Sequence, residues 1–193
     1  MESLMESLRH AKVVPVLRRA DGAEAEAVAR TLLDAGLPVV ELTANTPDWA
    51  GALGRLRSSY PRAVLGVGTV CTEDDARAAR AAGADFLVSP WPVPEVRAYA
   101  TAHGLPLCEG GFTPGEIAAA ARYGIAKLFP AHAVGPSYLK SVKAVLPAGS
   151  QVMPTGGIKL ADVPAWLAAG AIAVGIGSDL DRLPQLWHEL GAA

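Results

Sequence analysis

Several things are scarce in this chain. It holds two cysteines, Cys71 and Cys108, and four scattered histidines, His10, His103, His132 and His188. Neither residue type shows metal-ligand spacing, so a zinc centre has no ligand set to draw on. Two unclustered thiols read as the reduced cysteines of a cytoplasmic protein. Long apolar runs are missing too: Gly, Pro or a charge interrupts each one, which leaves no span of transmembrane length. The opening Met1-Glu2-Ser3-Leu4-Met5-Glu6-Ser7-Leu8 lacks the basic region and apolar core of a secretory signal. Charge of one sign is absent as a block. The net charge is −2, with acids and bases interspersed, and this excludes the basic footprint of a nucleic-acid or anionic-membrane binder. No Gly-x-Ser-x-Gly elbow supports a hydrolytic triad.

What is present is a chain of 193 residues, 51% hydrophobic and 19% charged, enough for one well-buried domain spanning 1–193 without a linker. Short β-branched runs alternate with Ala-rich, charge-dotted segments at a period of roughly 20 to 25 residues, in the range of repeat architectures. The runs predict strands over Val13–Leu17, Val39–Thr43, Val64–Gly68, Phe86–Ser89, Leu105–Glu109, Ala126–Phe129, Gln151–Thr155 and Ala171–Ile176. Helical patterns cover Ala23–Ala35, Pro47–Ser58, Glu73–Ala82, Pro94–Ala102, Pro114–Tyr123, Pro136–Val145, Leu160–Ala169 and Asp179–Leu190. Thr72 and Thr113 are N-caps by their followers, acids in the first case and Pro-Gly-Glu in the second. Gly36, Gly83, Gly104, Gly124 and Gly170 follow helical runs, where a left-handed residue is wanted. Eight strand–helix units count to a compact (β/α)₈ TIM barrel, a single α/β domain. Met1–Ala11 reads as an extra N-terminal helix capping the barrel bottom. A doubly wound open sheet is the competing architecture, and no Gly-x-Gly-x-x-Gly follows the first strand to support it.

Alternate residues of a barrel strand face the interior, and active sites lie at the strands' C-terminal ends. By that alternation Val14, Val16 and Arg18 share a face, as do Val39, Glu41 and Thr43; Leu65, Val67 and Thr69; Ile125, Lys127 and Phe129; and Gln151, Met153 and Thr155. Arg18, Glu41, Thr69, Lys127 and Thr155 then converge on one cavity. Lys127 is the sharpest signal, an ammonium inside the apolar run Ile125-Ala126-Lys127-Leu128-Phe129-Pro130. Burial lowers an amine's pKa, and a neutral amine is a nucleophile able to form a Schiff base with a carbonyl. Glu41 can move protons, Arg18 offers a fork for a carboxylate, and Thr69 can donate to a carboxylate or hydroxyl. Each has a plainer reading. An isolated Lys–Glu pair in a core is more often structural than catalytic. Arg18 beside Arg19 reads first as a solvated pair, and Thr69 as part of the next helix's cap.

A second signal lies in two glycine loops, Pro154-Thr155-Gly156-Gly157-Ile158 after strand 7 and Gly175-Ile176-Gly177-Ser178-Asp179 after strand 8. Barrels often bind phosphate there, with backbone N–H groups brought close to the anion.

At these residues the chain resembles the 2-keto-3-deoxy-6-phosphogluconate (KDPG) and 4-hydroxy-2-oxoglutarate (KHG) aldolases. The matching pieces are Val14-Pro15-Val16-Leu17-Arg18, Val40-Glu41-Leu42-Thr43, Gly66-Val67-Gly68-Thr69-Val70, Val88-Ser89-Pro90, Lys127-Leu128-Phe129-Pro130-Ala131 and the two glycine loops. The resemblance implies a class I aldolase that uses no metal or cofactor and assembles as a homotrimeric (β/α)₈ barrel. It places the Schiff-base lysine at Lys127, the general acid/base at Glu41 and the pyruvate-carboxylate contacts at Thr69 and Arg18. Thr155, Gly156, Gly157, Gly177 and Ser178 become the remaining substrate contacts, with the phosphate on the glycines and Ser178. The implied reaction cleaves KDPG to pyruvate and glyceraldehyde 3-phosphate. 4-Hydroxy-2-oxoglutarate and the galactonate epimer are alternative substrates, and a barrel that binds a phosphorylated ligand without chemistry is the remote one. Three departures stand out. Asn45 occupies a place where many members carry arginine, which shifts carboxylate binding to Arg18. Asn45-Thr46-Pro47-Asp48-Trp49 and Gly135-Pro136-Ser137-Tyr138 look like the galactonate enzymes, whereas Thr155 is more typical of the gluconate ones. Trp91 is expected to narrow the entrance, and Glu109 to put a carboxylate near the mouth and disfavour an anionic substrate.

Overall fold

The periodic β-branched runs form eight short parallel strands, each too apolar to expose either face. In a computed structural model that describes residues 1–192, with side chains to Leu190, they are β1 (Val13–Leu17), β2 (Val39–Thr43), β3 (Val64–Gly68), β4 (Phe86–Val88), β5 (Leu107–Gly111), β6 (Ile125–Leu128), β7 (Gln151–Pro154) and β8 (Val174–Ile176). Neighbours in sequence are neighbours in the sheet, and β1 also pairs with β8. Between β7 and β8 a bridge joins Thr155 to Gly175, and the Ile172 N–H donates to the Val152 carbonyl at 3.0 Å. The sheet is therefore a nearly closed barrel, as the strand count implies.

The helices wrap the outside: α2 (Gly22–Asp34), α3 (Trp49–Ser59), α4 (Glu73–Ala81), α5 (Pro94–Ala102), α6 (Pro114–Ala121), α7 (Pro136–Lys143), α8 (Val163–Ala168) and α9 (Leu183–Ala192), with α1 (Glu2–Ala11) ahead of β1. Thr72 and Thr113 each form a full capping box, with Asp75 and Glu116 as the reciprocal partners. Backbone chemistry moves several boundaries. Asp48 is left-handed (φ 55°), so α3 starts at Trp49 rather than Pro47. Asp179 is left-handed as well (φ 52°), and α9 begins only at Leu183. Pro164 sits in the first turn of α8, and a separate 3₁₀ turn covers Leu160–Asp162. Gly36, Gly83, Gly104 and Gly170 take positive φ as expected. Gly124 does not. A Cβ there would meet the Leu107 carbonyl oxygen at 2.6 Å, so close approach, not handedness, calls for glycine.

Two apolar layers result. One lies between barrel and helices and includes Leu17, Leu42, Leu65, Val67, Ile117 and Val174. The other fills the lower barrel interior, where Val14, Val39, Phe86, Ile125 and Met153 pack against Leu4, Leu8 and Ala11 of α1. The N-terminal helix thus plugs the bottom of the barrel, as its sequence suggests. With the bottom filled, any cavity must open at the C-terminal ends of the strands.

Candidate active site

The interior face of each strand decides what reaches that open end. Val39 and Glu41 of β2, Ile125 and Lys127 of β6, and Val14 and Val16 of β1 point inward as alternation predicts. On β3 the prediction fails. Leu65 and Val67 pack outward against the helices. The inward positions are Gly66, whose missing side chain leaves room for the Phe86 ring, and Gly68, which lies against the Glu41 carboxylate. Thr69 still reaches the cavity because it takes a left-handed conformation (φ 58°) just past the strand. That geometry is uncommon for a β-branched residue, and it reverses the alternation.

All nine residues singled out from the sequence line one cavity of about 400 Å³. Arg18, Glu41, Thr69, Lys127 and Thr155 come from five strand ends, and Gly156, Gly157, Gly177 and Ser178 from the two loops. Val16, Pro90, Phe129 and Ile158 supply an apolar wall that was not singled out. Phe129 had a legible signal, since it lies two residues beyond Lys127 on the same face. Its ring centroid lies 4.9 Å from the Lys127 Nζ, and a Cβ on Gly156 would meet the ring at 2.8 Å. Gly156 and Gly157 take φ of 98° and 67°, a turn that few other residues could hold. His132 braces this loop, with its backbone N–H donating to the Gly156 carbonyl at 3.0 Å and its Nδ1 3.2 Å from the same oxygen.

Electrostatically the cavity holds unsatisfied groups. Glu41 is 1% exposed and Lys127 4% exposed. Neither Glu41 carboxylate oxygen has a hydrogen-bond partner among the described residues, and neither does the Thr155 hydroxyl. Burial raises the Glu41 pKa, while Lys127 and, more weakly, Arg18 pull it back down. Burial lowers the Lys127 pKa, with Glu41 opposing. In each case burial is the larger cause, so both groups lean toward their neutral forms. Among the described residues the two make no direct ion pair, the contact that a purely structural pair would need. Beneath them the Cys108 thiol, fully buried, is pushed up by burial and then by Glu41, which keeps it protonated.

The two arginines separate. The Arg18 Nη2 donates to Thr69 Oγ1 at 3.2 Å beside the cavity. Arg19 turns away, with its Nε 3.5 Å from Glu24 and its Nη1 donating to the Arg18 carbonyl at 2.9 Å. Arg18 is exposed, as the plainer reading expects, but it turns to the cavity rather than alongside Arg19.

Glu109 is a correction. It is 1% exposed and faces α5, not the mouth, where Arg97 grips it in a fork, its Nε donating to Oε2 at 3.0 Å and its Nη2 to Oε1 at 2.8 Å. The Val93 N–H donates to it as well, at 3.2 Å. A carboxylate matched in this way adds no repulsion to the cavity. Trp91, 55% exposed, and Asn45, also exposed, do not line the cavity, so Trp91 does not narrow it. Among the described residues, no three of His, Cys, Asp and Glu come together in a metal-ligand group, and no helix is long and apolar enough to cross a membrane.

The chain has counterparts among known proteins. Residues 4–188 match the family model described as KDPG and KHG aldolase. The 2-dehydro-3-deoxy-6-phosphogalactonate aldolase of Escherichia coli is 34% identical over 176 residues, 90% of this chain and 86% of its own. The 2-dehydro-3-deoxy-phosphogluconate aldolase of Treponema pallidum is 35% identical over 170 residues, 87% of this chain and 81% of its own. Among solved structures, the KDPG aldolase of Legionella pneumophila, with pyruvate captured as a covalent carbinolamine intermediate, superimposes with a TM-score of 0.82. It is 28% identical and covers 97% of this chain and 95% of its own. With a match along nearly its whole length and relatives above 30% identity on both sides of the epimer divide, the chain belongs to the KDPG and KHG aldolase family, carbon–carbon lyases of the class I type.

Proposed function

We propose that this enzyme cleaves 2-keto-3-deoxy-6-phosphogluconate to pyruvate and glyceraldehyde 3-phosphate through a Schiff base on Lys127. The observation that carries the reading is the pairing of the buried Lys127 amine with the partnerless Glu41 carboxylate in one cavity. The neutral Nζ attacks the C2 ketone to give a carbinolamine, and loss of water gives an iminium. Arg18 and Thr69 hold the C1 carboxylate. The cationic iminium beside it favours the ionised form of Glu41, which then, through a water, takes the proton of the C4 hydroxyl. The C3–C4 bond breaks, its electron pair passes into the iminium to form an enamine, and the aldehyde phosphate departs from the glycine loops. Protonation at C3 and hydrolysis release pyruvate and restore the amine.

The test is pyruvate release, coupled to lactate dehydrogenase, from the gluconate and galactonate phosphates and from 4-hydroxy-2-oxoglutarate. Fastest turnover of the gluconate phosphate is expected. Equal turnover of the unphosphorylated acid would remove the phosphate assignment, and no pyruvate from any of the three would favour a non-catalytic binder. A galactonate preference is the second reading, favoured by the Asn45–Trp49 and Gly135–Tyr138 segments. Thr155, which is more typical of the gluconate enzymes and whose hydroxyl has no partner among the described residues, argues for the gluconate epimer.

The two free thiols suit a reducing cytoplasm. The family resemblance implies a homotrimer, for which light scattering should give three times the chain mass; a monomer mass would overturn it.

A further inference from the structure

Beyond the two glycine loops the cavity does not end. Gly157 and Ser178 also line a wider, shallower hollow of about 640 Å³, which continues outward between the Lys159 segment and α9. Two cations, Lys159 and Arg182, line this hollow, and among the described residues neither makes an ion pair. Lys159 lies two residues after Gly157, and Arg182 four after Ser178, so one cation flanks each loop. Both are exposed. Neither belongs to the motif pieces that carry the family likeness.

Two carboxylates line the same hollow, Asp179 and Glu189. Glu189 lies seven residues beyond Arg182 along the helix, about 10 Å away by its rise, and Gln185 faces it at 3.4 Å. Asp179 adjoins Ser178 and is the anion nearest the loop. The charges therefore sort by position: Lys159, Arg182 and Asp179 near the loops, Glu189 at the far end.

We infer that Lys159 and Arg182 are specificity-determining residues that make the enzyme favour a substrate whose distal end carries a phosphate dianion. The inference rests on the aldolase reading above and deepens it. The loops position the phosphate with backbone groups, and the two side chains supply mobile positive charge on its outer side. Asp179 opposes them and sets a ceiling on affinity.

The double variant Lys159→Ala/Arg182→Ala should raise KM for the phosphorylated keto acid roughly tenfold, the size of two exposed charge contacts. Its kcat should stay near the parent value, and KM for 4-hydroxy-2-oxoglutarate should not move. Asp179→Asn, which keeps a residue tolerant of the left-handed conformation, should lower KM for the phosphorylated substrate. The parent's advantage on that substrate should shrink as salt rises. Equal KM changes for both substrates in the double variant, or none for either, would overturn the inference. A parent that releases no pyruvate from any substrate would instead bring down the aldolase reading beneath it. In that event, inorganic phosphate binding by calorimetry still decides the matter for Lys159 and Arg182. An affinity unchanged in the double variant counts against them, and one weakened about tenfold supports them.

Discussion

Lys127→Met should abolish pyruvate release, by about 10⁴-fold or more, in a protein that melts higher than its parent. The first half follows from covalent catalysis, since without the amine no iminium forms and the C3–C4 electron pair has nowhere to go. The second half follows from burial. Lys127 is nearly inaccessible, and its pKa is depressed mainly by desolvation. A group of this kind favours folding fully only above its unfolded pKa, and that contribution is lost as pH falls through the folded value. At neutral pH the parent therefore carries a cost that an apolar side chain of similar length removes. Gains of about 1–2 kcal/mol are ordinary for replacing buried ionic groups by apolar ones, and in a chain of this size they raise Tm by roughly 3–6 °C. The gain should be largest at and below neutral pH and shrink as pH approaches the ordinary lysine range. Glu41 has the opposite sign: its folded pKa is raised, so its contribution is full at acid pH and lost as pH rises through that value. In the parent, activity should fall on the acid side as both groups take up protons. Borohydride with pyruvate should label the parent at Lys127 and leave the variant unlabelled. Labelling of the variant at parental levels would refute the Schiff-base assignment, and a lower Tm would show that the amine supports the fold.

How far the sequence carried this site depends on the residue. β1, β2 and β3 run over the residues expected, and the N-cap signals at Thr72 and Thr113 hold, because local backbone preferences decide those features. Lys127 and Glu41 were legible because a charged residue in an apolar strand is conspicuous without knowledge of its neighbours. The orientation of β3 was not. Counting alternate residues back from Thr69 assumes an unbroken strand, and the left-handed turn at Thr69 breaks it. The correcting signal was Gly66-Val67-Gly68 itself, since glycine inside a strand often marks close approach by another group. Glu109 was misplaced for a different reason. Its partner Arg97 lies twelve residues earlier on a helix, and only the packing of α5 against β5 joins them. The cations beside the glycine loops carry no motif, and they become candidates only once the hollow that they share is known.

Gly68→Ala should cost the enzyme most of its turnover while leaving the amine chemistry in place. A methyl group built on Gly68 lands on the Glu41 Oε1, with the Glu41 Cδ only 2.6 Å away. The carboxylate cannot stay where it is, and the barrel wall around it, including Val67 on the outer face and Phe86 below, is fully buried. Overpacking of this kind costs about 1–3 kcal/mol of stability, which a folded domain of this size tolerates. The displaced Glu41 can no longer reach the C4 hydroxyl proton through a water. A positioned acid/base group is worth about 10²–10⁴-fold, and kcat should fall by that amount. Lys127, across the cavity on β6, keeps its surroundings, so pyruvate with borohydride should still label Gly68→Ala near parental levels. The shorter Glu41→Asp side chain combined with Gly68→Ala should recover part of the lost rate, because the carboxylate then retreats from the added methyl group. Full activity in Gly68→Ala would show that Glu41 acts from elsewhere or not at all. Loss of labelling together with turnover, in a variant that still melts cooperatively, would mean that the two groups do not divide the reaction as proposed.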